Sequence, residues 1–265
     1  MTTTGFTPTT AVPSRTGRTG RTGRTGRTGR TGRTGRKRLA VSGTYSTGKT
    51  TTTIALSHLT GIPRTHARTM REILADVLPD KRLEECTASE LIQLGIRRFA
   101  ERAVHESHLA DGFLSDGSSL HEWVYGKVRV RAGLHPTDGY EAGEAAPDFY
   151  EEVIDGMGAV LKDHARRSYD VFIHLPVEFD LVADGHRPVS ERFREMSDEL
   201  LRGTLDELRI PYHVVGGTVE QRLATIVDIF GLPALMSLQH AVELARSETA
   251  AGYRLVSTAA ARRSV

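Results

Sequence analysis

Residues 43–50 read Gly43-Thr44-Tyr45-Ser46-Thr47-Gly48-Lys49-Thr50, and each residue type in that run has a use in holding polyphosphate. Gly43 permits a sharp turn out of a strand, and Gly48 lets backbone approach an anion where a Cβ would stand in the way. Successive N–H groups of such a loop, together with the positive end of a following helix, form a nest for phosphate oxygens. In this pattern Lys49 reaches the β and γ phosphates and Thr50 offers a hydroxyl to Mg²⁺. The pattern needs a strand before it and a helix after it. Arg38-Leu39-Ala40-Val41-Ser42 supplies the first and the run from Thr51 to Ser57 the second. Nucleoside triphosphate binding is therefore the chemistry predicted here, with ATP and Mg²⁺ as the cofactors.

Three further groups carry chemistry. Asp116 ends an apolar run, Gly112 to Ser115, and a carboxylate there would hold a metal-bound water or accept a hydroxyl proton during phosphoryl transfer. The alternative for Asp116 is an N-cap for a helix starting at Ser118-Ser119-Leu120. Arg187 and Arg192, within a cluster that also holds Glu191 and Arg194, are candidates to clamp a transferring phosphate from a mobile lid. A solvated charged helix face accounts for them equally well. His121, Trp123, Tyr125 and Arg129 follow Asp116 closely, and would hold an acceptor by stacking and charge. The alternative is that the aromatics belong to the core.

The elements that must position these residues follow from patterning. Thr87-Ala88-Ser89-Glu90 has capping-box spacing, and Ile92, Ile96, Phe99 and Ala103 behind it predict a helix over about 88–109. Residues 111–116 read as a strand, 126–147 as a long Gly/Pro-rich loop, and 149–167 as a helix. Residues 170–176 read as another strand, 188–207 as a helix and 210–215 as the last strand. Thr218-Val219-Glu220-Gln221 opens a helix through Phe230, and the Ala-rich end predicts one more helix. Strands alternating with helices imply an α/β fold: a three-layer α/β/α P-loop NTPase sandwich with a mainly parallel, five-stranded sheet. Its ligand would lie at the carboxyl ends of the strands.

The formal charge of +2 hides a split, because residues 1–38 hold 10 bases and no acid, which leaves 25 bases against 33 acids in the other 227 residues. From Arg15 to Gly35 the triplet Arg-Thr-Gly repeats seven times. Such a repeat has no apolar face to bury, so residues 1–36 are expected to be a disordered tail capable of weak polyanion contact, without specific nucleic-acid recognition. The domain expected beyond it spans 37–231, with a lid around 184–207, and 232–265 is a C-terminal helix with a frayed end. No run of about 18 apolar residues is present, so no membrane span is expected. The single cysteine, Cys86, cannot form an internal disulfide, and a reduced, cytoplasmic setting follows.

Taken in order, Gly43 to Thr50, Arg71-Glu72-Ile73-Leu74, Phe113 to Gly117, Tyr169-Asp170-Val171-Phe172, Asp184-Gly185-His186-Arg187 and Tyr212 to Arg222 resemble the P-loop family typified by ribosylnicotinamide kinases, a small AAA-type ATPase domain. The resemblance spans about 37–231. It implies a kinase that moves the γ-phosphate of ATP to a small hydroxyl-bearing acceptor, nucleoside-like or a related metabolite. It also implies that Asp116 is the acid after a strand, that Arg187 and Arg192 are lid arginines, that Arg71 lies on the substrate side, and that Gly217 to Arg222 lie near the adenine. The chain departs from the family at Asp116-Gly117, where Asp-Arg is common. Two other readings stand beside the kinase: an ATPase driving conformational change, and a nucleotide-dependent regulatory protein. An ATPase of that kind wants an acidic pair at a strand end, which neither Asp116-Gly117 nor Leu175-Pro176 supplies.

Overall fold

The computed structural model describes residues 37–65, 67–136, 144–178 and 190–261. The tail of residues 1–36, Arg187 and the lid segment before 190, and the middle of the 126–147 stretch lie outside them.

Four strands form a fully parallel sheet: β1 (Arg38–Ser42), β2 (Phe113–Asp116), β3 (Val171–His174) and β4 (Tyr212–Val214), in the order β2-β1-β3-β4. The expected count of five is corrected to four. Outside the named strands a single bridge forms beside β2, where Leu114 donates to the Pro63 carbonyl and Thr65 donates back to Leu114. Pro63 has no N–H to extend that ladder, so the pairing stops at Arg64.

Eight helices are described: α1 (Lys49–Thr60), α2 (Met70–Val77), α3 (Ala88–Ser107), α4 (Ser119–Ala132), α5 (Asp148–Ser168), α6 (Glu191–Glu207), α7 (Val219–Phe230) and α8 (Leu238–Ala261). Alternation along the strands sorts the core into two layers. Ala40, Phe113 and Phe172 face the side covered by α3, α4, α5 and α6, whereas Leu39, Val41, Leu114 and Ile173 face α1, α7 and α8. Ala241, Val242 and Ala245 of α8 are fully enclosed in the second layer.

Two elements differ from the sequence expectation. The stretch from Gly126 to Ala132, expected as loop, completes α4. Gly126 is there because α5 passes over it: a Cβ at that position would lie 2.6 Å from Ile154. Gly133, at φ 95°, ends the helix. Helix α2 had no sequence counterpart, although Thr69 and Glu72 form a complete capping box around its first turn.

Candidate phosphate-loop site

β1 is central, with β2 and β3 on either side, so the chain leaving Ser42 emerges where the strand order reverses and a crevice opens. Gly43 takes φ 134°, and a Cβ on it would fall 2.6 Å from the Leu175 carbonyl and 2.8 Å from Thr47 Oγ1. Gly48 takes φ 84° and stands as the N-cap of α1 without a side-chain cap. The first turn of α1 holds no acid, so its N–H groups and dipole face the loop unopposed. Within the loop Thr47 Oγ1 donates to the Thr44 carbonyl at 3.0 Å and Lys49 Nζ reaches back to the same oxygen at 2.5 Å. Thr44 Oγ1 is buried and has no hydrogen-bond partner among the described residues. The glycine cradle, the open helix end and that hydroxyl all fit a bound polyphosphate. Gly43→Ala is expected to disrupt the loop, because both the contact with Leu175 and the positive φ oppose a side chain. Its affinity for a nucleoside triphosphate, the ligand the sequence predicts for this loop, should fall at least about tenfold while the fold survives, as titration calorimetry alongside thermal melting would read.

Thr50 Oγ1 donates to Asp116 Oδ2 at 2.6 Å. This joins the last residue of β2 to the first turn of α1 and gathers two hard oxygen donors at one edge of the loop, a set suited to Mg²⁺. The N-cap of α4 is Ser118, not Asp116, so the capping alternative for the acid gives way.

Three side chains hold the loop from outside. His121, buried in the first turn of α4, accepts from the Ser118 N–H at its Nδ1 (2.9 Å), which leaves Nε2 as the donor to the Gly43 carbonyl at 3.1 Å. Burial, followed by the nearby cations of Lys49, Arg102 and Arg98, drives its pKa well below the usual histidine value. With both ring nitrogens engaged on backbone, it is a neutral clamp on the loop. Arg194 of α6, fully buried, donates to the Tyr45 carbonyl at 3.1 Å and to Glu191 at 2.8 Å. Arg222 of α7 donates to the Thr47 carbonyl at 2.6 Å and to Glu178 at 3.0 Å. Glu178 also accepts the Gly217 N–H, and these two donors, Gly217 first, hold its carboxyl below the usual range.

The remaining expected residues divide. Arg192 lies half-buried on α6, about 200° around the helix from Arg194, and it is Arg194 that the structure brings to the loop. Arg71 is on α2; its side chain is outside what is described. Trp123 faces away from the loop, packed on Gly158 of α5 and under the Lys162 ammonium, 4.3 Å from its ring. Tyr125 does reach the loop: its ring stacks on Tyr45 with centroids 4.6 Å apart, and Phe193 flanks both. Beneath this stack lies a cavity of about 30 Å³ lined by Tyr45, Tyr125, Glu122, Arg129, Tyr150 and Met157, among others. Glu122 is paired with Arg98 Nη1 at 3.0 Å, and Arg129 lies 5.7 Å from the Phe193 ring centroid. Sequence reading missed Arg98, Glu122, Arg194 and Glu178 as parts of the site. Among the described residues no cluster of three His, Cys, Asp or Glu side chains could hold a metal, and no helix is long and apolar enough to cross a membrane.

His121, His164 and His135 all have pKa values lowered by burial first. A depressed histidine stabilises the fold above the unfolded value near 6.5, and that stability is lost as pH falls. Urea unfolding at pH 7.5 and 5.5 should therefore show stability falling on the acid side. His121 alone contributes at most about 1.4 kcal/mol per pH unit, and His121→Gln should flatten the limb. A profile equally steep in that variant would contradict the buried neutral state.

A family model described as an AAA domain matches residues 38–222. No curated protein matches the chain. Among solved structures, NadR protein in complex with NR superposes with a TM-score of 0.54 at 18% identity, covering 76% of this chain and 54% of that one. NadR protein in complex with NAD and AMP-PNP gives 0.50 at 15%, covering 73% and 48%. The chain thus spans about half the length of these NadR chains. Deoxyadenosine kinase from M. mycoides, with dCMP and dCDP bound, gives 0.49 at 13%, covering 73% and 98%.

Proposed function

Because the chain belongs to this AAA-domain family, matched over most of its length, we propose that it is an ATP-dependent kinase that phosphorylates a small hydroxyl-bearing, nucleoside-like acceptor. The observation that carries the reading is the Thr50–Asp116 contact, which sets an acid and a metal-suited hydroxyl against the phosphate loop, with the Tyr45–Tyr125 stack and its cavity adjoining. In this reading backbone N–H groups from Gly43 to Thr51 and the Lys49 ammonium hold the β and γ phosphates. Thr50 and Asp116 hold Mg²⁺, whose chemistry when bound is to neutralise charge on the phosphate oxygens. Asp116 also takes the proton of the acceptor hydroxyl as it attacks. Arg194, Arg222 and His121 each grip a loop carbonyl and fix its shape, so little reorganisation is needed at the moment of transfer.

The acceptor belongs beside Tyr45, over Glu122 and Arg129. A cavity of about 30 Å³ admits roughly one water, against roughly 300 Å³ or more for a ligand pocket, so the acceptor enters by separating the Tyr45 and Tyr125 rings. NadR was solved with NR and with AMP-PNP, ligands of the kind this reading assigns to the acceptor and phosphate sides. Incubation with Mg-ATP and a panel of nucleosides, sugars and amino alcohols, following ADP release, tests the proposal. ADP release that depends on one class of acceptor supports it; release indifferent to every acceptor returns the ATPase reading, and tight binding without turnover the regulatory one.

A further inference from the structure

Ser42, His174 and Asp198 form a continuous string of hydrogen bonds that no step above uses. Ser42 Oγ, at the last residue of β1, lies 3.3 Å from His174 Nδ1 at the end of β3, and His174 Nε2 lies 2.9 Å from Asp198 Oδ1 on α6. Asp198 Oδ2 accepts in turn from Arg202 Nε at 3.0 Å. Burial raises the Asp198 carboxyl, but the hydrogen bond from His174, with help from Arg202, outweighs it and leaves the group below the usual carboxylate range. An ionised carboxylate only accepts, so His174 Nε2 carries a proton, and in the neutral ring Nδ1 accepts from the Ser42 hydroxyl. Ser, His and Asp in that order are the groups of a hydrolytic triad, but Ser42 and His174 are both 0% exposed, so no substrate meets the hydroxyl. The string holds backbone instead.

What it holds is one half of the phosphate loop. Ser42 immediately precedes Gly43, and its carbonyl accepts the Leu175 N–H at 2.9 Å, beside the point where the Leu175 carbonyl abuts Gly43. Arg194, four residues before Asp198 and so on the same face of α6, donates to the Tyr45 carbonyl. Helix α6 therefore grips the chain on both sides of Gly43-Thr44, through His174 to Ser42 and directly at Tyr45. Thr44 Oγ1, buried and without a hydrogen-bond partner among the described residues, belongs to this bracketed segment. Tyr45 stacks on Tyr125 at the cavity, so this half of the loop faces the acceptor, and the phosphate it holds is the one that moves. The other half, from the N-cap Gly48 onward, is the start of α1 and takes its shape from the helix.

We propose that His174 and Asp198 are positioning residues for the terminal phosphate, acting through Ser42 and together with Arg194 to fix the Gly43–Tyr45 half of the loop; which phosphate this half holds rests on the acceptor placement proposed above. A half-loop fixed in advance needs little reorganisation when the phosphate moves. Titration calorimetry with Mg-AMP-PNP and with Mg-ADP tests this, because the two ligands differ by the terminal phosphate. The wild type should bind both. In His174→Phe, which keeps a flat ring but makes neither bond, the Kd for Mg-AMP-PNP should rise about tenfold and that for Mg-ADP at most about twofold. Asp198→Ala should show the same split, and Asp198→Asn, whose amide oxygen still accepts from Nε2, should restore the wild-type ratio. If the buried His174→Phe did not fold, the two Asp198 variants would carry the test unaided, since that side chain is 13% exposed at the helix surface. Equal losses for both nucleotides with a lowered melting temperature would make the bonds a support of the fold alone and overturn the proposal, as would a split in the opposite direction. Variants that match a wild type competent for both nucleotides would overturn the proposal alone, whereas a wild type that binds neither would remove the phosphate-loop reading along with it.

Discussion

Lys49→Ala is expected to remove measurable phosphoryl transfer and to weaken Mg-ATP binding by about two orders of magnitude. The ammonium is the one cation of the loop itself, and in the structure it already bends over the loop to the Thr44 carbonyl, within the curve where phosphate oxygens would lie. A hydrogen bond to a charged group is worth about 1.5–3 kcal/mol, and a ~3 kcal/mol loss corresponds to roughly 150-fold in affinity. The effect on folding should be small, since the substitution removes one hydrogen bond to a loop carbonyl, about 1 kcal/mol, and no core packing. Calorimetric titration with Mg-AMP-PNP separates the two quantities from turnover. Wild-type affinity in the variant would mean that the loop does not bind polyphosphate.

Asp116→Asn should act on a different quantity. The amide keeps the shape of the carboxylate and still accepts from Thr50, so the contact between β2 and α1 survives and melting should move little. It cannot take a proton, and it binds a hard cation weakly. A drop in kcat of about 10²–10⁴ is expected, with a much smaller change in the KM for ATP. An unchanged kcat with a lowered melting temperature would assign Asp116 a purely structural role.

The phosphate loop was fully legible because its geometry is local: the two glycines answer to positive φ angles, and Lys49 and Thr50 stand at fixed offsets from them. Helices α3 and α7 were legible for the same reason, each opening on a capping box within four residues. What clamps the loop was not, because its signal is spread along the chain. His121 meets Gly43 across 78 residues, Arg194 meets Tyr45 across 149 and Arg222 meets Thr47 across 175. Two arginines two positions apart on α6 look alike in sequence, and only the helix phase set by Phe193 and Leu201 in the core turns Arg194 to the loop. Gly126 and Gly133 suggested a loop by composition, yet Gly126 is a packing residue under Ile154 and Gly133 a terminator. The fifth strand had no residues assigned to it in the sequence: the four runs read as strands, 38–42, 111–116, 170–176 and 210–215, are where the four strands lie.

The departure from the family at Gly117 bears on the acceptor. Gly117 takes φ 82°, which a side chain opposes, and a Cβ there would lie in ordinary contact, 3.5 Å, with Arg102 Nη2 and His121 Nδ1 from α3 and α4. Arg98, one turn before Arg102 on α3, pairs with Glu122 at the cavity. The guanidinium groups near the acid come from α3 in this chain rather than from the residue after Asp116.

The most direct test of the account follows the phosphoryl group itself. With γ-labelled ATP, Mg²⁺ and the acceptor panel, the label should be recovered covalently on a hydroxyl of one acceptor class, in step with ADP, in the wild type and not in Lys49→Ala. Label released only as inorganic phosphate, whatever acceptor is present, would contradict the account.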